Sequence, residues 1–77
     1  MTLKEFDRVG MGVRIRLSRE RANFSREQLS EHLDITPKFL SDIECGNRGL
    51  SMQTFILLIQ ILDVSADYLI FGNTAED

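Results

Sequence analysis

Apolar residues recur along this chain three or four positions apart, and nowhere do they alternate at period two over the length of a strand. Met11, Ile15, Ser18 and Ala22 share one face of a first helix. Leu29 and Leu33 lie on one face of a second, and Leu40 and Ile43 on one face of a third. The stretch MQTFILLIQIL is apolar almost all round, through Met52, Phe55, Ile56, Leu58, Ile59 and Leu62, and predicts the central helix. Val64, Leu69 and Ile70 close the bottom of the core. The pattern predicts an all-α fold of five helices, at about 7–22, 26–33, 37–45, 52–62 and 66–71.

Capping residues mark the same boundaries. Ser25 with Gln28 three residues on has the spacing of a capping box. Thr36-Pro37 is an N-cap followed by a proline at the first helical position, where a missing N–H costs nothing. Ser51 and Ser65 open the last two helices, and Gly46 and Gly72 act as stops. Only Asp34 and Ile35 remain to connect the second helix to the third, so the two must cross steeply. Such a turn needs a residue with positive φ, which Asp34 tolerates, and Ser30 supplies a small side chain at the crossing. The pair is a helix-turn-helix.

On the third helix Lys38, Ser41, Asp42 and Cys45 fall within an arc of about 100°, while Leu40 and Ile43 point the opposite way. That polar arc can enter a major groove with its apolar back locked onto the core. Lys38 can donate to guanine O6 and N7 or to a phosphate. Asp42 can accept from the cytosine amino group but repels phosphates. Ser41 can do either, and Phe39, at the boundary, either packs under the turn or meets a thymine methyl. Spacing alone also allows the plainer reading of a solvated outer face.

Composition narrows the function classes. A chain of 77 residues, 43% of them apolar, has room for one small core. Cys45 is its only cysteine, which rules out an intrachain disulfide and a Cys-based zinc site and fits a reducing cytoplasm. The N-terminal MTLKEFDRVG lacks the apolar run of a secretory signal, and FILLIQIL is too short to span a bilayer. The net charge of −3 argues against a generic nucleic-acid coat. All nine Lys and Arg, however, lie in residues 1–48 beside eight of the twelve acids, leaving +1 there and −4 in residues 49–77. Any polyanion would be met by the first half. His32, the single histidine, lies on the outer side of the second helix without a ligand cluster, so no metal site is expected. Cys45 has only Arg48 as a neighbouring cation and reads as an inert thiol rather than a redox switch. Gly10 and Gly12 follow no strand, and no nucleophile–base pairing or phosphate-cradling loop is present. Neither an enzyme nor a bound cofactor is expected.

Residues 11–72, through RIRLSRERANFSREQLSEHLDITPKFLSDIECGNRGLSMQTF and LDVSADYLIFG, resemble the phage-repressor/Cro-type (XRE) helix-turn-helix family. The resemblance implies a five-helix, lambda-repressor-like domain with helices two and three as the DNA-binding motif. Residues 1–10 would then extend the first helix, and 73–77 form an acidic tail. It further implies that Thr36, Pro37, Lys38, Phe39 and Asp42 face bases or flanking phosphates. Ser25 and Arg26 would hold the DNA backbone from the start of helix two, and Asn47 and Arg48 from the loop after helix three. Arg19 and Glu44 match a buried ion pair tying helix one to the recognition helix. The chain departs from the family in three places: Asp34 for the usual turn glycine, Ser18 for an apolar residue, and Cys45 for a basic or amide one.

Leu57, where relatives carry a polar residue, forms with Ile61 and Phe71 a candidate dimer surface on helices four and five. Alternatively the stripe Phe6, Val9, Val13 and Leu17 folds over it. The implied partners are a double-stranded operator and a second copy of the chain, with no membrane and no small-molecule ligand. The implied role is a bacterial or phage repressor in the cytoplasm. Its rival is a protein-interaction module on the same fold, such as an antitoxin or antirepressor partner.

Overall fold

The computed structural model describes residues 5–73. The proposed acidic tail, Asn73 apart, and the first four residues lie outside that range. Within it the chain forms α1 (Arg8–Arg21), α2 (Arg26–Leu33), α3 (Pro37–Glu44), α4 (Met52–Leu62) and α5 (Ala66–Phe71), with no strand among the described residues.

Each helix starts at a side-chain oxygen that accepts from a backbone N–H otherwise left without a partner. Asp7 caps α1 through Gly10 N, Thr36 caps α3 through Phe39 N, and Ser51 and Ser65 cap α4 and α5. Ser25 accepts from Gln28 N while the Gln28 amide oxygen accepts from Ser25 N, completing the capping box of α2. Three helices stop on a non-glycine residue in the left-handed region: Asn23 at φ 63°, Asp34 at φ 57° and Asp63 at φ 54°. Asp and Asn tolerate that conformation because their short polar side chains bond locally. α3 stops on Gly46, at φ 78°, where the Gly46 and Asn47 N–H groups donate to the Ile43 and Asp42 carbonyls.

The core comprises Met11, Ile15, Leu29, Leu33, Leu40, Ile43, Leu58, Leu62 and Leu69, so every helix contributes to one cluster. Three sequence expectations are corrected here. Ala22 is exposed, because α1 has ended and residue 22 serves as its C-cap. Met52, at 71%, and Ile56, at 40%, stand in solvent rather than in the core. α4 is therefore not wrapped on all sides: only Leu58 and Leu62 are fully buried on it. α1 takes the central place instead, packed on both α3 and α5. Periodicity could not reveal this, because a helix apolar all round looks alike whether or not neighbours cover it.

The α1–α3 contact is close. A Cβ at Gly12 would lie 2.5 Å from the Ile43 carbonyl oxygen and 2.6 Å from that of Glu44. From the other sides of α1, Arg8 Nε donates to Gly46 O at 3.0 Å, and Arg14 donates to the Leu69 and Ile70 carbonyls at 2.9 and 3.1 Å. The two arginines thus satisfy carbonyls at the C-terminal ends of α3 and α5, where positive charge is also favoured by the helix dipole. Ser18 is 3% exposed, and its hydroxyl is the one buried side-chain polar atom without a partner among the described residues.

Candidate nucleic-acid interface

α2 and α3 meet across Asp34-Ile35, with the Ile35 N–H on the Ser30 carbonyl and the Asp34 N–H on that of Glu31. Ser30, 2% exposed, sits at the crossing and turns its hydroxyl back to the Glu27 carbonyl, so no polar atom is stranded there. On α3, Leu40 and Ile43 are sealed at 0% and 1% exposure. Thr36, Pro37 and Lys38 are exposed, and Ser41 and Asp42 are half-buried. The helix therefore has one anchored side and one open polar side.

Contacts link the residues of the open side into a series. Lys38 Nζ donates to both carboxylate oxygens of Asp42, at 3.0 and 3.1 Å, one helical turn along. The Asp42 carbonyl accepts from Asn47 N, the start of the exposed loop after α3. The Arg48 guanidinium lies 4.9 Å from the centre of the Phe39 ring, within cation–π range. Phe39 is half-buried against the core with Arg48 over its ring. Cys45 is exposed at the end of α3, one residue beyond its last helical turn.

Behind this face Glu44 is almost completely enclosed, its side chain 1% exposed. Arg19, 8% exposed, reaches it from α1 with Nε at 2.6 Å and Nη2 at 3.2 Å, and spends Nη1 on the Phe24 carbonyl. Arg26, from the first turn of α2, adds Nε at 2.9 Å to Glu44 Oε1. One carboxylate thus joins three helices. The Arg26 contact was not anticipated; its partners are 18 residues apart, and no helical spacing connects them. The Lys38–Asp42 contact did have a signal, the i,i+4 spacing.

The candidate dimer residues are less uniform. Leu57 and Ile61 are half-buried and pack partly on the core, whereas Phe71 is 49% exposed. Phe6, Val9, Val13 and Leu17 are 58, 60, 48 and 40% exposed, so that stripe faces solvent and does not seal the α4–α5 surface. His32 stands at the surface with its ring edge-on to Phe24, centroids 5.5 Å apart. No group of three or more metal-ligating side chains is found among the described residues, and no described helix is long and apolar enough to cross a membrane.

Comparison with known proteins agrees with this geometry. A family model described as "Helix-turn-helix domain" matches residues 12–74. Among solved structures, the clp gene regulator ClgR from Corynebacterium glutamicum superposes with a TM-score of 0.75 at 22% identity, over 80% of this chain and 66% of that one. A second ClgR structure gives 0.75 at 20% identity, over 90% and 88%. The restriction-modification controller protein C.AhdI from Aeromonas hydrophila gives 0.72 at 26% identity, over 80% and 94%. No curated protein sequence matches. The matched span includes all of α2 to α5 and the turn between α2 and α3, and the chain belongs to the XRE-type helix-turn-helix family of DNA-binding transcriptional regulators.

Proposed function

We propose that this regulator is a repressor that occupies an operator through α3 in the major groove. The observation that carries this is the division of α3 itself. Leu40 and Ile43 are sealed in the core, and the opposite side presents Thr36, Pro37, Lys38 and Asp42. Lys38 donates to guanine or phosphate, and Asp42 selects against phosphate and for a cytosine amino group. Their mutual contact is an exposed i,i+4 pair worth about 0.3–0.5 kcal/mol, weak enough to open for bases. Ser41 and Phe39 border this reading face. Ser25 and Arg26 on one side and Asn47 and Arg48 on the other contact the sugar–phosphate backbone.

The protein acts in the cytoplasm as a homodimer through α4 and α5, with Leu57, Ile61 and Phe71 at the interface. A two-fold dimer sets two copies of α3 about 34 Å apart on a pseudo-palindromic site. With few cations on the face, the salt dependence of binding is shallow, each neutralised phosphate contributing about −0.9 to the logarithmic slope. Binding, not catalysis, is its activity.

The test is a footprint of the protein on the DNA upstream of its own gene, repeated with Lys38→Ala combined with Arg26→Ala. Lys38 is at the surface, and Glu44 keeps its two-point contact to Arg19 when Arg26 is removed. The double variant should therefore melt somewhat lower yet stay folded at the assay temperature while protection disappears. Protection that survives the double change would place the DNA-binding face elsewhere. A wild-type chain that binds no duplex would favour the protein-interaction reading.

A further inference from the structure

The Arg19–Glu44–Arg26 cluster holds more positive charge than its carboxylate needs. Arg19 alone makes a two-point contact to Glu44, one nitrogen on each oxygen, and both side chains are buried. That pair is already neutral. Arg26 adds a second cation at Oε1 and leaves a net charge of +1, and it is the only member with substantial exposure, at 40%. Its bond uses Nε. Among the described residues neither terminal nitrogen of Arg26 has a partner, so the outer edge of a planar five-donor fork is left open. Such an edge matches two oxygens of a phosphate.

We propose that Glu44 is a positioning residue for a phosphate contact made by Arg26, an inference that rests on the DNA-binding reading above. A surface arginine samples many rotamers, and each one frozen on binding weakens the complex. The bond to Glu44 removes part of that freedom beforehand. Because Glu44 is itself locked between α1 and α3, it sets the fork in register with the recognition helix. In this view a buried acid strengthens binding to a polyanion.

The sign of that effect supplies the test. The probe is a duplex recovered by the wild-type chain from a randomised pool, and affinity is measured across a salt series. If Glu44 acted only as a negative charge near phosphates, Glu44→Gln would tighten binding. The proposal requires it to weaken binding about fivefold or more in the wild-type background, and to have no weakening effect once Arg26→Ala is present. If Glu44→Gln instead loosens α3, binding weakens in both backgrounds, which overturns the proposal. Arg26→Lys leaves the Arg19–Glu44 pair untouched and gives a second reading. It should retain the wild-type salt slope yet bind about fivefold more weakly, whereas Arg26→Ala should lower the slope by about 0.9. Arg26→Lys equal to wild type, or an unchanged slope in Arg26→Ala, overturns it. If the wild type recovers no duplex at all, the DNA-binding reading fails and this inference falls with it.

Discussion

Gly12 shows how a single position can oppose its own helix propensity. In the middle of α1 an alanine would be favoured over glycine by about 1 kcal/mol. Here the added Cβ would lie 2.5 and 2.6 Å from two backbone oxygens of α3, which cannot swing away as a side-chain tip could. Overpacking of this kind costs about 1–3 kcal/mol, so the clash wins. Gly12→Ala should lower the urea midpoint by a corresponding net loss, and Gly49→Ala, where no atom lies within 4 Å, should stay within about 0.5 kcal/mol of wild type. Equal midpoints for the two variants would mean that α1 and α3 sit farther apart. Asp34 is the converse case, a residue whose unusual conformation was legible because a two-residue link leaves little other geometry. Asp63 adopts the same conformation in a link of the same length, Asp63-Val64 before the Ser65 cap, so the same signal was there unread. Asn23 lies in a link one residue longer that constrains the backbone less.

Among the helices, α5 is the shortest, with six residues, too few to persist by propensity alone. Ser65 satisfies its start, and Gly72 at φ 79° satisfies part of its end. Arg14 of α1 provides the rest by donating to the Leu69 and Ile70 carbonyls. Hydrogen bonds from a charged donor contribute about 1.5–3 kcal/mol each when enclosed and less in this half-buried setting. Arg14→Met keeps much of the stem and removes the donors. In that variant the amides of α5 should exchange at least tenfold faster while those of α2 and α3 keep their protection. Uniform acceleration throughout the chain would show that α5 does not open separately.

At the scale of the whole molecule, the open question is how much apolar surface the monomer leaves uncovered. Met52, Ile56 and Phe71 are all at least 40% exposed on α4 and α5, and the α1 stripe adds a second such surface. Exposed apolar side chains of this size on so small a domain are what the proposed dimer would cover. Since Leu57 also packs on the core, Phe71 is the cleaner probe of the proposed dimer. Phe71→Glu should sediment as a monomer at concentrations where the wild type is dimeric, and the wild-type melting midpoint should rise with concentration. A wild type that is monomeric at high concentration would sink the α4–α5 interface.

The number, order and limits of the helices could be read from the residues alone, because caps, glycine stops and apolar spacing act within a few positions of one another. The face of α3 was legible for the same reason: Leu40 and Ile43 set its back, and everything opposite follows from 100° per residue. Long-range placement was not open to such reading. Whether Met52 is core or surface depends on which neighbours reach it, and a helix apolar on every side does not say. Arg26 on Glu44 and Arg14 on α5 join residues 18 and more than 50 positions apart, so their pairing awaited the packing of α2 on α3 and of α1 on α5. Local chemistry chose the elements and the open polar face of α3; the crossing of three helices chose which arginine lies beside it.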